Sequence, residues 1–214
     1  MTDDVVSPLV SGNRGYMSYS RDDHEAVQRL SQHLIPAARA ELGLDFWTDA
    51  AITAGSQWFD AVSDALAQAN VFILCVSPCY LASEFRYRVE FSAIEARVRS
   101  SGALVIPVIL EPCSWWGFVG AYQAVPTRKG HIVPISEWRP RDDGYHEAAT
   151  QIIHAIADHF TQPTEKRGMG KLTAKDTVPR PVPRAPHGHH KLSPRDIDRA
   201  VKTVIARRAA KTDA

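Results

Sequence analysis

The chain has 214 residues, enough for one domain of ordinary size with an appendage but too few for two domains with separate large cores. Hydrophobic residues at 44 % and charged residues at 23 % exclude wholesale disorder, collagen and coiled coil, which leaves a soluble globular protein as the expectation. The net charge of +1 conceals an asymmetry: residues 1–160 carry 12 Lys/Arg against 19 Asp/Glu, and residues 161–214 carry 13 against 5, so an acidic body bears a basic tail.

In chain order, residues 1–13 are expected to be disordered. They carry acids where a signal peptide needs positive charge, and no apolar run reaches the length of a membrane span, so a cytoplasmic location is expected with no membrane partner. Gly15 to Ser20 alternates weakly and ends in a polar cluster, followed by Val27, Leu30 and Leu34 at helical spacing. This predicts a strand and then a helix, capped by Asp22 or Asp23, kinked or shortened at Pro36 and ended by Gly43. Leu44 to Trp47 predicts a short second strand, and Trp58, Val62, Leu66 and Ala69 mark one face of a second helix.

The run VFILCV at 71–76 is apolar throughout, as a strand covered on both faces requires. A third helical stretch to about Arg99 is broken by Gly102, and 103–110 predicts a fourth strand, at an edge because Pro107 has no donor for a ladder. A Trp-rich excursion at 111–130 precedes a fifth short strand, Ile132 to Ile135. Glu147, Gln151, Ile152, Ile156 and Phe160 then lie on a last helix. Five strand-helix alternations within about 150 residues predict an α/β fold of the flavodoxin-like, doubly wound kind: a five-stranded parallel sheet with helices on both faces. In such sheets ligands bind beyond the carboxyl ends of the strands, so the turns Tyr19 to Asp23 and Ser77 to Ser83 are expected to share one rim.

The body is expected over residues 14–160. Residues 161–191, with five prolines and three glycines, read as a basic linker. Over 192–210, Ile197, Val201, Val204 and Ile205 form the apolar stripe of one amphipathic helix. The tail has no interleaved aromatics to stack on bases, so a partner protein rather than nucleic acid is expected to engage it.

Several chemistries are excluded. GMGKLT at 168–173 would need a glycine in place of Glu165 and a hydroxyl in place of Leu172 to be a phosphate loop. No dinucleotide fingerprint follows the first strand, and no nucleophile elbow occurs. Cys75, Cys79 and Cys113 lack the spacing of a disulfide framework or a zinc site, and His187, His189 and His190 have no carboxylate or thiol to complete a sphere, so no metal is expected.

Four segments carry a resemblance: GYMSYSRDD at 15–23, FWTDAAITAGSQW at 46–58, VFILCVSPCYLASEF at 71–85 and VIPVILEPCSWW at 105–116. In this order and spacing the chain resembles a Toll/interleukin-1 receptor (TIR) domain of the bacterial, NAD-cleaving type over residues 14–160. The resemblance implies an NAD glycohydrolase that yields nicotinamide and ADP-ribose or a cyclic isomer, is activated by oligomerisation and serves in antiphage defence. NAD is then the substrate, and no cofactor is implied. The alternative it implies is a non-catalytic adaptor that only assembles with partners.

The family's catalytic glutamate lies early in the helix after the third strand. Here Val89 occupies the matching position and the acid is Glu90, one residue late, which is a 100° rotation on a helix unless the turn before it absorbs the extra residue. Glu84 is the fallback. Glu90 could equally pair with Arg86 on a solvated helix face, and Glu84 could be a helix N-terminal charge. By position, the resemblance assigns substrate binding to Tyr19, Ser20 and Arg21 in the first turn, to Trp47 and Asp49 at the start of the second loop, and to Ser77 at the end of the third strand. The alternatives are that Trp47 is core and that Ser77 caps the turn before Pro78.

Overall fold

The computed structural model describes residues 14–48, 52, 57–83 and 89–161. The N-terminal segment 1–13, the linker from 162 to 191, the tail helix expected over 192–210, Asp49 and Glu84 lie outside the described residues.

The elements follow in order as β1 (Arg14–Ser18), α1 (His24–Leu42), β2 (Asp45–Trp47), α2 (Trp58–Gln68), β3 (Val71–Val76), α3 (Pro78–Leu81) and α4 (Phe91–Ser101). Then come β4 (Leu104–Ile109), α5 (Trp116–Val119), the short strands β5 (Thr127–Arg128) and β6 (His131–Ile132), and α6 (Arg141–Thr161). β1 to β4 form a parallel sheet in the order β2-β1-β3-β4, and β5 pairs with β6 in an antiparallel hairpin apart from it.

The all-apolar β3 lies inside the sheet, and each of its six residues is buried. Alternation along the strands then divides the core. Met17, Ile73, Cys75, Ile106 and Val108 join the buried stripes of α1 and α6, including Leu30, Leu34, Ile152 and Ile156. Tyr16, Phe72, Leu74, Val76 and Val105 face Val62 and Leu66 of α2 and Ile94 of α4. Each fully buried leucine contributes about 1.5–3 kcal/mol relative to exposure, so the two-sided burial holds the sheet centre.

One expectation is corrected. Ile132 to Ile135 adds no fifth strand: His131 and Ile132 pair with Thr127 and Arg128, and Ile135 begins a 3₁₀ turn. The place beside β4 is taken by Val125, whose N–H donates to Pro107 O and whose carbonyl accepts from Ile109 N, both at 2.9 Å. Of the two effects expected at Pro36, shortening does not occur, and α1 runs through it to Leu42. Pro36 is exposed, so water can serve the carbonyl it leaves unpaired, while Leu34 and Ala38 keep the helix packed on either side of it.

Pro107 is tolerated because β4 is the outer strand of the four. Leu104 and Leu110, each three residues away, donate inward to Asn70 and Val76, so the nitrogen of Pro107 faces outward and no bond to β3 is lost. Gly43 ends α1 at φ 60°, with the N–H groups of Gly43 and Leu44 returning to Arg39 O and Ala38 O.

Candidate functional site

The strand β1 lies between β2 and β3, in register with both: Tyr16 is paired with Trp47 on one side and Phe72 on the other. Its ring stacks on the Trp47 indole at a centroid separation of 5.1 Å and 12° between planes, and meets Phe72 at 6.1 Å. Above this aromatic row the chain enters α4. Val89 and Glu90 form a wide π-type turn, and the regular helix begins at Phe91. Such turns accommodate an extra residue.

Glu90 is consequently directed inward. It is 3 % exposed, and its Oε1 accepts a hydrogen bond from the Tyr16 hydroxyl at 2.6 Å. Burying a carboxylate is costly unless it is hydrogen-bonded, and the phenol meets part of that requirement.

The other candidates divide between the faces of the sheet. Tyr19 is buried in the α1–α6 core, on the face opposite Tyr16, with its ring 6.3 Å from His24. Ser20 is buried in the turn and Arg21 is exposed beside it. Trp47 is half-buried, with one face against Tyr16, so it stands at the core edge and is linked to Glu90 only through the Tyr16 ring. Ser77 is fully buried; its Oγ accepts from Tyr80 N at 2.9 Å, capping α3, and donates to Asp23 Oδ2 at 2.5 Å. Asp23 thus stands at the N-cap of α1 but turns its carboxylate to Ser77 instead of to the helix.

The structure therefore brings Trp47 to Glu90 through Tyr16. It holds Ser77 in a separate network at the carboxyl ends of β1 and β3. That rim is acidic: the Cys79 thiol is pushed up first by desolvation and then by Asp23, Asp22 and Glu111. Of the tryptophan pair after β4, Trp115 packs against the core while Trp116 is 69 % exposed. Among the described residues, no group of three or more His, Cys, Asp or Glu side chains can hold a metal ion, and no helix is long and apolar enough to cross a membrane.

Tyr16 is the residue that the sequence reading missed. A signal was present: a tyrosine at an inward position of the first strand carries a hydroxyl that a buried strand must pair. What the sequence could not supply was the partner, 74 positions away.

Residues 16–152 match the family model of the TIR domain, more than half of the chain. The chain belongs to the TIR domain family. Its parallel α/β sheet and the order of its helices fit that assignment. This TIR chain is also similar to an uncharacterised protein, y4lF, of Sinorhizobium fredii, with 30 % identity over 141 residues. The match covers 65 % of this chain and 42 % of that relative, so the chain spans less than half of the relative's length.

Proposed function

We propose that this TIR domain is an NAD glycohydrolase with Glu90 as its catalytic carboxylate, working in an assembled state. The observation that carries the reading is the inward turn of Glu90 onto Tyr16, beside the Trp47 indole. In the reaction the bond between the ribose anomeric carbon and the nicotinamide nitrogen breaks, and its electron pair leaves with a neutral nicotinamide. No strong general acid is needed. The developing oxocarbenium requires a nearby negative charge, which Glu90 supplies while accepting from the ribose hydroxyls. Water then adds to the anomeric carbon and releases a proton, giving ADP-ribose; attack by the adenine instead gives a cyclic isomer.

In this reading Trp47 offers a flat surface for the nicotinamide, and Asp49, Ser20 and Arg21 belong to the surrounding cleft, whereas Tyr19, buried in the core on the opposite face of the sheet, has a structural role and not the substrate contact expected of it. Ser77 supports the first turn through Asp23. Self-association through the TIR domain activates the enzyme, the tail engages a sensor or partner protein, and the biological setting is antiphage defence in the cytoplasm.

A second reading, a non-catalytic TIR adaptor, is favoured by the burial of Glu90, since a carboxylate 3 % exposed and bonded to a core phenol also fits a purely structural role. Incubation of the purified protein with NAD, with and without a crowding agent that drives assembly, separates the two when products are read by chromatography. Nicotinamide released only in the assembled state supports the enzyme; no release in any assembled state leaves the adaptor.

A further inference from the structure

A phenylalanine would fill the Tyr16 position equally well: the ring is buried, stacked on Trp47 and tilted against Phe72. The hydroxyl adds a desolvation cost and is retained only if its partner returns it. That partner is a carboxylate at 2.6 Å. The phenol is held on a strand paired on both sides, and its ring has aromatic neighbours from both of those strands. Glu90, by contrast, has helical backbone angles in the π-type turn that leads into α4, but its side chain has three rotatable bonds, so the backbone alone does not fix where its charge lies.

We infer that Tyr16 is a positioning residue, whose hydroxyl fixes the Glu90 carboxylate in the orientation that opposes the ribosyl cation. The inference rests on the glycohydrolase reading and adds to it a residue that acts through Glu90 without touching substrate. Because Tyr16 orients the charge that the transition state needs, its loss falls on kcat and spares substrate binding.

The experiment uses the full chain in its assembled state. In Tyr16→Phe, kcat falls about tenfold, the effect of one lost charge-assisted hydrogen bond, and KM stays within about twofold. Para-aminophenylalanine at position 16 returns a donor to the same place and restores kcat to within about threefold. Tyr145→Phe, which removes a buried phenol from the opposite face of the sheet, leaves both constants unchanged. The carboxylate stretching band of Glu90, isolated as the infrared difference between the wild type and Glu90→Gln, shifts in Tyr16→Phe. If the wild type requires Glu90 but Tyr16→Phe keeps its kcat, or the amino analogue fails to rescue the loss, this inference alone is overturned. If the wild type releases no nicotinamide, or Glu90→Gln remains active, the glycohydrolase reading fails and the inference fails with it.

Discussion

The Ser77 hydroxyl donates to the Asp23 carboxylate at 2.5 Å, tying the exit of β3 to the start of α1 across 54 positions of sequence. The same oxygen accepts from Tyr80 N and caps α3, so one buried atom serves two elements. Ser77→Ala is expected to cost about 1–3 kcal/mol of stability, combining a lost cap with a carboxylate deprived of a donor. Urea denaturation reads it, and an unchanged midpoint would show that the bridge contributes nothing.

The glycohydrolase proposal makes the rate depend on Glu90. Glu90→Gln keeps the size and a ribose hydrogen bond but removes the charge, and is expected to lower the rate of NAD cleavage about 100-fold, or roughly 3 kcal/mol, with fold and assembly retained. The opposite pattern, with Glu84→Gln inactive and Glu90→Gln active, would transfer the role to Glu84.

Gly15 has no room for a side chain. A Cβ there would stand 2.2 Å from the Phe46 ring, on the neighbouring strand and in register with it. Gly15→Ala should destabilise the fold by about 1–3 kcal/mol through overpacking. In a double-mutant cycle Phe46→Ala should recover part of that loss; strict additivity of the two changes would contradict the clash.

The cysteines should differ in reactivity. Burial pushes the Cys75 thiol far up, so alkylation at Cys75 is expected only after unfolding. Cys79 is exposed, yet desolvation and the carboxylates of Asp23, Asp22 and Glu111 raise it too. Cys79 should therefore react with iodoacetamide more slowly than a free thiol at neutral pH, and added salt should speed the reaction by screening those charges. Peptide mass spectrometry would detect the contrary, a fast and salt-independent Cys79.

Arg29 clamps α1 to α6 by a two-point contact with Asp142, with Nε to Oδ1 at 2.7 Å. The hydrogen bond to Arg29 holds the Asp142 carboxyl below its ordinary value. A depressed carboxyl stabilises the fold above its unfolded pKa of about 3.9, and that contribution is lost as pH falls through the lower, folded value. Both side chains are about half exposed, so Asp142→Asn should lower Tm by only a few degrees at neutral pH. The difference should vanish in strong acid; a constant difference across the range would assign the effect to packing.

By itself the sequence determined the order of the layers and the parallel sheet. The unbroken apolar run of β3, the helical stripes of Leu30, Leu34 and of Ile152, Ile156, and the glycine ending α1 are local signals, written within a few residues of where they act. The same locality placed Pro107 on an outer strand. The fifth strand failed because occupancy beside β4 is a competition between distant segments, and Val125 takes the place that Ile132 to Ile135 matched only in composition. The candidate site divides likewise. The four segments that carry the resemblance lead to Glu90, with Glu84 as fallback, but the direction of Glu90 depends on a turn whose geometry no periodicity encodes, and the carboxylate's partner lies 74 residues earlier on another element. Tertiary structure alone decided that Tyr16 meets Glu90 and that Ser77 meets Asp23, because a buried polar group must find its donor or acceptor wherever the folded chain puts one, at whatever separation in sequence.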